Sequence, residues 1–546
     1  MPTRSTSTQP SQQSPVSYQP SPQKSGSGGT GSFKYAPTRS FWQRIDMGKL
    51  FQQARTTLRG QFIALICVVL LLAVLTTIVV SQAFSQANSN LNTIAQGSVP
   101  SVDAAQAMSQ YIEDINAKAA DYLAAASLTA QTPCTIIGSS RNPGNLTDHN
   151  CDALNMNAEL VLANKELYLA IHNVTYPGEH TATERILAGF EEYRADIAVE
   201  EHEYALAANK TDPHDTHLQM ARLAYLAATN VLNVRITQQP TLDANGNPVY
   251  DETNIPTCTI EGRTIAATTW PQGSLQQNID CLSSINHGYL NTAYNATETS
   301  LGIIILLIGL LCLAFCGLLL FITGRMAALT HHIINVGLIL ATLVALVFSS
   351  TAITDFINMS GPNGAFALMV KNDYDSVYYA ALLKRYATAA NADESRWLIA
   401  EDFGDQTEIN RWQQDWYTNR QRVNTLIQQA VKNKTWPEEV QPLAEIQSYW
   451  KTYTSIDPQI RTLATNTADP NRIHNAQVLS TGKSNSSFNT FTGAVDQLSQ
   501  VNRNYYNQTY ATTNASLMDF IPLSLVLFPL IGLLALWGTT RRLKYF

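Results

Sequence analysis

Hydropathy divides this chain before any motif does. Residues 61–82, 301–323, 333–354 and 520–538 are apolar and carry no charge. Each run approaches or exceeds the ~20 residues with which an α-helix crosses a bilayer. Four transmembrane helices are therefore predicted. The first run follows about sixty mostly polar residues, and its apolar core is too long for a cleaved signal peptide. Between the runs lie two long polar segments whose apolar residues recur at helical spacing. Examples are Met108, Ile112, Ile115, Ala119, Tyr122 and Ala126; Ile186, Phe190, Tyr193 and Ile197; and Ile409, Trp412, Val423, Ile427 and Ala430. The breakers "TDPHDTH" (211–217), "TWPEE" (435–439) and "ADPN" (468–471) separate the helices.

The pattern occurs twice. Residues 101–125 match 376–400 without a gap at an offset of 275, with eight identities that include Ser101/Ser376, Tyr111/Tyr386, Asn116/Asn391 and Leu123/Leu398. Residues 280–301 match 496–517 at an offset of 216, with ten identities in 22 that include Asn286/Asn502, Tyr289/Tyr505 and Tyr294/Tyr510. A duplicated unit of span, outer domain and span explains both. "NKT" at 209–211 and 433–435 supplies a middle anchor at an offset of 224. It places about 51 of the first copy's extra residues between 125 and 209, and about eight later. Copy two reads as helices near 370–400, 407–434, 437–466 and 485–518. Copy one reads as helices near 98–129, 182–210, 214–236 and 275–300, with a short helical pattern near 153–173 inside its insertion.

The expected fold is an all-α integral membrane protein, with four transmembrane helices carrying two tandem, duplicated extracytoplasmic four-helix bundles. Its parts are a disordered tail (1–40), a basic juxtamembrane segment (41–60), the first span (61–82), a bundle with disulfide tip loops (83–300), the second span (301–323), a cytoplasmic turn (324–332), the third span (333–354), the second bundle (355–519), the fourth span (520–538) and a basic tail (539–546).

Charge orients this arrangement. Residues 1–60 hold eight bases and one acid, and Arg325, Arg541, Arg542 and Lys544 lie beside the later spans. With a net charge of −7, the remainder carries −18. Basic flanks stay on the cytoplasmic side and suit anionic membrane lipids. Both termini are thus expected in the cytoplasm of a plasma-membrane protein. The acidic exterior argues against nucleic acid.

Seven cysteines divide by position. Cys67, Cys312 and Cys316 fall in spans; Cys134, Cys151, Cys258 and Cys281 fall outside. Four cysteines allow three pairings. Cys134–Cys151 and Cys258–Cys281 are favoured because each closes a short loop.

Candidate chemistry is sparse. No phosphate loop, nucleophile elbow or CxxC pair occurs, so no catalytic residue, metal or cofactor is expected. "EEHEY" (200–204) and "HDTH" (214–217) crowd His202, His214 and His217 with acids, but the spacing fits a solvated turn better than a metal site. The densest charge is "NADESRWL" (391–398). Asp393, Glu394 and Arg396 are read there as a solvated helix face or as a partner contact particular to this copy. On either reading Asp393→Ala with Glu394→Ala leaves folding intact. Tyr289, Tyr294, Tyr505 and Tyr510 recur in both copies, as packing at the membrane interface or as signal-coupling residues. Nine N-x-S/T sequons, Asn173 and Asn433 among them, fall in the outward segments.

A span, an outer four-helix bundle and a second span resemble the ligand-binding halves of bacterial chemoreceptors and sensor kinases. No HAMP-like linker, methyl-accepting coiled coil or kinase follows. "AANADESRWLIAED" and "NAQVLSTGKSNSSFNTF" also resemble stretches of actinobacterial four-span proteins that relay from an amino-acid-binding lipoprotein to a soluble Ser/Thr kinase. The resemblance implies a non-enzymatic sensor or relay. Its partners would be a small ligand or solute-binding protein outside and a separate signalling protein inside, and a homodimer is compatible. The alternative is a structural or adhesive envelope scaffold.

Overall fold

A computed structural model describes residues 57–125, 128–140, 142–176, 178–210, 212–233, 258–260, 263–265, 274–330 and 335–543. The expected disordered tail, most of the basic segment and the last residues of the chain lie outside them. Helix α1 (Leu58–Asn92) runs through a π-helical turn (Thr93–Ser98) into α2 (Val99–Ala124). A small antiparallel pair, β1 (Gln131–Pro133) and β2 (Asn145–Thr147), leads to α3 (Asp148–His172), α4 (Glu179–Leu206) and α5 (Thr216–Asn233). A second hairpin of β3 (Cys258–Ile260) and β4 (Arg263–Ile265) precedes α6 (Leu275–Thr330).

The second half begins with α7 (Val336–Met359). A π-helical turn (Leu368–Tyr374) opens α8 (Asp375–Phe403), followed by α9 (Gln406–Lys432), α10 (Val440–Thr454), α11 (Asp457–Ala464) and α12 (Arg472–Leu479). A third π-helical turn (Ser480–Ser484) leads into α13 (Asn485–Leu543). The α8–α9 corner follows its sequence. Gly404 takes φ +67°, a left-handed conformation that ends α8 without a Cβ clash. Asp405 then caps α9, accepting from the amides of Thr407 and Glu408, each at 3.2 Å.

Among the described residues, four helical stretches are long and apolar enough to cross a membrane: Leu58–Ala124, Leu275–Leu329, Val336–Met359 and Arg472–Leu543. Their apolar ends share one core. In it Phe84 stacks on Phe520 at 4.9 Å and meets Phe356 at 4.4 Å. The closest approach needs two glycines. A Cβ on Gly337 would lie 2.6 Å from the Cα of Gly538. There the Asn335 side chain accepts from the Leu338 amide at 3.4 Å and donates to the Gly538 carbonyl at 3.1 Å. Close backbone approach through small residues, with a polar side chain across it, is how helices associate where no hydrophobic effect draws them together.

Beyond the apolar core each half builds its own. Half two packs Leu383, Ala387, Trp416, Val423, Ile446, Trp450, Phe488 and Phe491. Its helices lie close to the ranges predicted. Half one packs Met108, Ile112, Ile115, Met156, Ala163, Phe190, Tyr193 and Leu282, and here the expected assignment fails. The second helix of the bundle is α3, which fills 25 residues and lies along α2. The sequence places the helical pattern near 153–173 inside an insertion. Its buried residues Met156, Ala163 and Leu167 belong to the core itself. Helix α4 is the third element of the bundle, and α5 is an additional helix packed on α4.

Candidate functional site

The chain carries one arrangement of side chains twice. Val99 N–H donates to Ile94 O, and Asp375 N–H donates to Val370 O, the i→i+5 bonds of a π turn. These turns fall at equivalent positions under the 275 offset. Where such a ladder returns to i→i+4 spacing, carbonyls outnumber main-chain donors by one. In half one Pro100 removes another donor. In each half an asparagine side chain adds an N–H to a carbonyl of the turn. Asn173 Nδ2 donates to Gly97 O at 2.8 Å and to Ser101 Oγ at 2.7 Å. Asn433 Nδ2 donates to Asn372 O at 3.3 Å and to Ser376 Oγ at 2.8 Å.

The rest of the latch repeats too. Glu179 Oε2 accepts from the amides of Thr175 (2.5 Å) and Tyr176 (2.6 Å). Glu439 Oε2 accepts from those of Thr435 (2.6 Å) and Trp436 (2.7 Å). The aromatic between them stacks on the last helix: Tyr176 on Tyr289 at 4.1 Å, Trp436 on Tyr505 at 3.9 Å. Its polar edge returns to the π turn. Tyr176 OH is hydrogen-bonded to Ser98 Oγ at 2.7 Å, and Trp436 Nε1 donates to Asp373 Oδ1 at 2.7 Å. Burial pushes Asp373 up to about 6, against the Trp436 hydrogen bond. Each latch thus ties the first helix, the second-to-third turn and the last helix together next to the apolar segments.

The sequence stretches that do this are "NVTYPGE" (173–179) and "NKTWPEE" (433–439). Their offset of 260 replaces the anchor drawn from "NKT" at 209–211. With it, 15 extra residues of half one fall before the latch, and 44 fall between the latch and residue 280, where α5 lies. Asn173 and Asn433 are also N-x-T sequons, so here the motif has a structural use: Thr175 and Thr435 hydroxyls donate back to the carbonyls of Asn173 and Asn433.

A second polar feature joins the halves. Helices α2 and α8 pack along each other, and position 99 meets its own counterpart, since Tyr374 OH donates to Val99 O at 3.4 Å. Around this seam Arg503 pairs with Asp103 (2.6 Å), Arg222 with Asp405 (2.7 Å), and Arg385 Nη2 with Asp280 Oδ2 (3.0 Å). Arg222 also lies 4.7 Å over Phe403.

The seam overturns the reading of "NADESRWL". Asp393, Glu394 and Arg396 are 1%, 1% and 3% exposed, so they are neither a solvated face nor an accessible partner contact. Arg396 Nη1 pairs with Asp393 Oδ1 at 2.6 Å, while its Nε donates to Tyr225 OH of half one at 2.7 Å. Asp393 Oδ2 accepts from Asn419 at 2.9 Å. Burial pushes Asp393 up to about 7, in spite of the guanidinium beside it. Glu394 accepts from Ser480 (2.7 Å) and Ser484 (3.1 Å) of the third π turn. Polar side chains this deep persist only with partners, and apart from the Asp393–Arg396 pair itself these come from 26 to 171 residues away.

The other predicted residues fall as follows. Cys134 and Cys151 are bonded to each other. Cys281 is disulfide-bonded, while the side chain of Cys258 lies outside the described residues. Tyr289 and Tyr505 form the latch stacks. Tyr294 lies under Lys371 at 5.5 Å, and Tyr510 OH donates to Asn92 Oδ1 at 3.3 Å. These four tyrosines are half-buried.

Residues 334–517 match the sequence profile of a family described as a four helix bundle sensory module for signal transduction. No curated protein and no solved structure matches the chain. The matched segment covers α7 through most of the bundle portion of α13, which is half two with its latch. Half two thus carries a match to a sensory four-helix-bundle family, and the described residues, almost all helical, hold four helices long and apolar enough to cross a membrane.

Proposed function

We propose that this chain is a non-enzymatic transmembrane sensor and relay, built by duplication of a span–bundle–span unit. Both termini and the 324–332 turn lie in the cytoplasm, and both bundles lie outside. The observation that carries this reading is mechanical continuity. Helix α6 passes unbroken from a bundle into an apolar segment over 56 residues, and α13 does so over 59. A displacement of the bundle end of such a helix is passed to the other end. The family match of half two supports the same reading.

In this mechanism a small ligand or a solute-binding protein engages the bundles and favours one of two packings, as differential affinity requires. The latches set the position of the first helix relative to the last in each half. Tyr289, Tyr294, Tyr505 and Tyr510 couple that setting to the spans. The reader is a separate cytoplasmic signalling protein. A soluble Ser/Thr kinase, as the actinobacterial resemblance implies, is the specific candidate.

Cross-linking in native membranes followed by mass spectrometry tests the proposal. Recovery of an outer binding protein and a cytoplasmic signalling protein supports it, and recovery of neither refutes it. The second reading, a static envelope scaffold, draws support from the buried seam, which would hold the halves rigid. A scaffold tolerates removal of residues 1–40, whereas a relay loses its output.

A further inference from the structure

Two buried carboxylates of the seam have no cation. Asp121, on α2 of half one, is 5% exposed and accepts only from neutral groups of half two: the Ser395 hydroxyl, and Asn485 Nδ2 at 3.0 Å. Glu394, one residue before Ser395 on α8, accepts only from the Ser480 and Ser484 hydroxyls. Neither forms an ion pair among the described residues. Asp393, beside Glu394, takes the nearby arginine for itself. A carboxylate removed from water without a cation favours its neutral form.

The surroundings reinforce this. On its own helix Asp121 faces Lys118 and Asp114, and on α3 it faces Asp152. Lys118 is engaged elsewhere, 2.7 Å from Asp114 and 3.2 Å from Glu159. Glu394 faces Asp121 across the seam, Asp457 on α11 and Tyr453 on α10. Asp457 is paired with Arg461 of its own helix at 2.9 Å. From the π turn and the start of α13, Glu394 and Asp121 meet only Ser480, Ser484 and Asn485. The acids therefore gather where two elements of one half close on α2 of the other.

We propose that the seam between the two halves is proton-operated: Asp121 and Glu394 are protonated when it is closed, and their ionisation opens it. The hydroxyls of Ser395, Ser480 and Ser484 can reverse to accept from the neutral acids, whereas the ionised pair would stand across the seam with like charge. Burial pushes both carboxyls up, Glu394 to about 8. A pKa raised in the closed state contributes stability that is fully present below the ordinary carboxyl range and lost as pH rises to about 8. Within that window Glu394 raises the opening equilibrium about tenfold per pH unit, and Asp121 acts in the same direction. The proton is thus a ligand of the seam. This goes beyond the relay and does not depend on it, since seam opening is read whether or not the chain signals.

The test is hydrogen exchange of the full chain in lipid nanodiscs, followed in peptides covering 391–400 and 116–123 and corrected for the intrinsic pH dependence of exchange. Between pH 6 and pH 8 the opening of both peptides should rise about 50-fold through the Glu394 proton, with Asp121 adding in the same direction. Glu394→Gln keeps the hydrogen-bonding shape without the charge and should remove one proton from that slope, and Asp121→Asn should do the same. A flat profile in the unsubstituted chain, or an unchanged slope in both variants, overturns the proposal. If one variant does not fold, the other decides. Peptides from the apolar core, 338–352, should show no slope; the same slope there would mean general loosening and would also refute the seam as the site.

Discussion

Asn433 is the residue through which the latch of half two is most directly tested. Its side chain donates at 3.3 Å to Asn372 O and at 2.8 Å to Ser376 Oγ. Truncation to alanine leaves both acceptors without that donor, and an unsatisfied buried group costs about 1–3 kcal/mol. The Ser376 bond is short and its serine buried, so it takes the larger share. Asn372 is half-buried, its carbonyl also accepts from the Asp375 amide, and the Asn433 bond is long, so its share is small. The total is about 2 kcal/mol, or about 30-fold in a local opening equilibrium. Hydrogen exchange by mass spectrometry should show this acceleration in a peptide covering 368–374. A peptide covering 443–450, in the bundle core of the same half but away from the latch, should be nearly unchanged. Ser376→Ala should give most of the same effect, because it removes the stronger bond. Equal protection of 368–374 in Asn433→Ala and the unsubstituted chain would refute the latch. So would a uniform loss across half two, which would make Asn433 an ordinary contributor to stability.

Arg396→Leu should destabilise the chain by about 3–5 kcal/mol in denaturant unfolding, because it leaves Asp393 buried without its partner, and adding Asp393→Leu should recover much of the loss. That replaces the expectation that the acids of this stretch can be removed freely. Asp373, raised to about 6, contributes stability present below the ordinary carboxyl range and lost as pH rises through 6. Exchange at 368–374 should therefore quicken between pH 4 and pH 6 after intrinsic correction, and Asp373→Asn should flatten that profile. Replacing both Cys134 and Cys151 by serine should cost about 3 kcal/mol of local stability at the β1–β2 hairpin and the start of α3, since the bridge spans 17 residues. Limited proteolysis in that loop would reveal it.

The four membrane-length apolar helices, the helical rhythm and the helices of half two were legible because each rests on local periodicity. Leu426, Ile427 and Ala430 face a core in any bundle their sequence can form. Half one is harder to read because the three-residue identity "NKT" at 209–211 is not the physical counterpart of the one at 433–435. The physical counterpart carries Asn, Thr and Glu at fixed spacing around an aromatic that changes from Tyr176 to Trp436. A search for the reach-back glutamate, an N-cap signature, would have found it. The burial of Asp393, Glu394 and Arg396 was not legible. Polar residues on a helix are solvated unless partners arrive, and Tyr225, Ser480 and Ser484 are brought there only by tertiary structure. The recurrence of Tyr289 and Tyr505 was visible in the sequence, whereas the rings on which they stack were not.

The pairing of α2 with α8 inside a single polypeptide has a consequence for what such a seam can become. When two identical chains meet across a twofold axis, every substitution appears on both sides, and an acid on the axis faces itself. Here the two faces are separate stretches of sequence. Glu394 stands where the 275 offset places Ala119 in half one, and Arg396 stands where it places Asp121. One face can therefore acquire a charge while the other acquires the group that answers it. The stoichiometry is fixed at one to one, and dilution cannot separate the partners. Such a junction is free to become lopsided, so that an event on one flank need not be mirrored on the other.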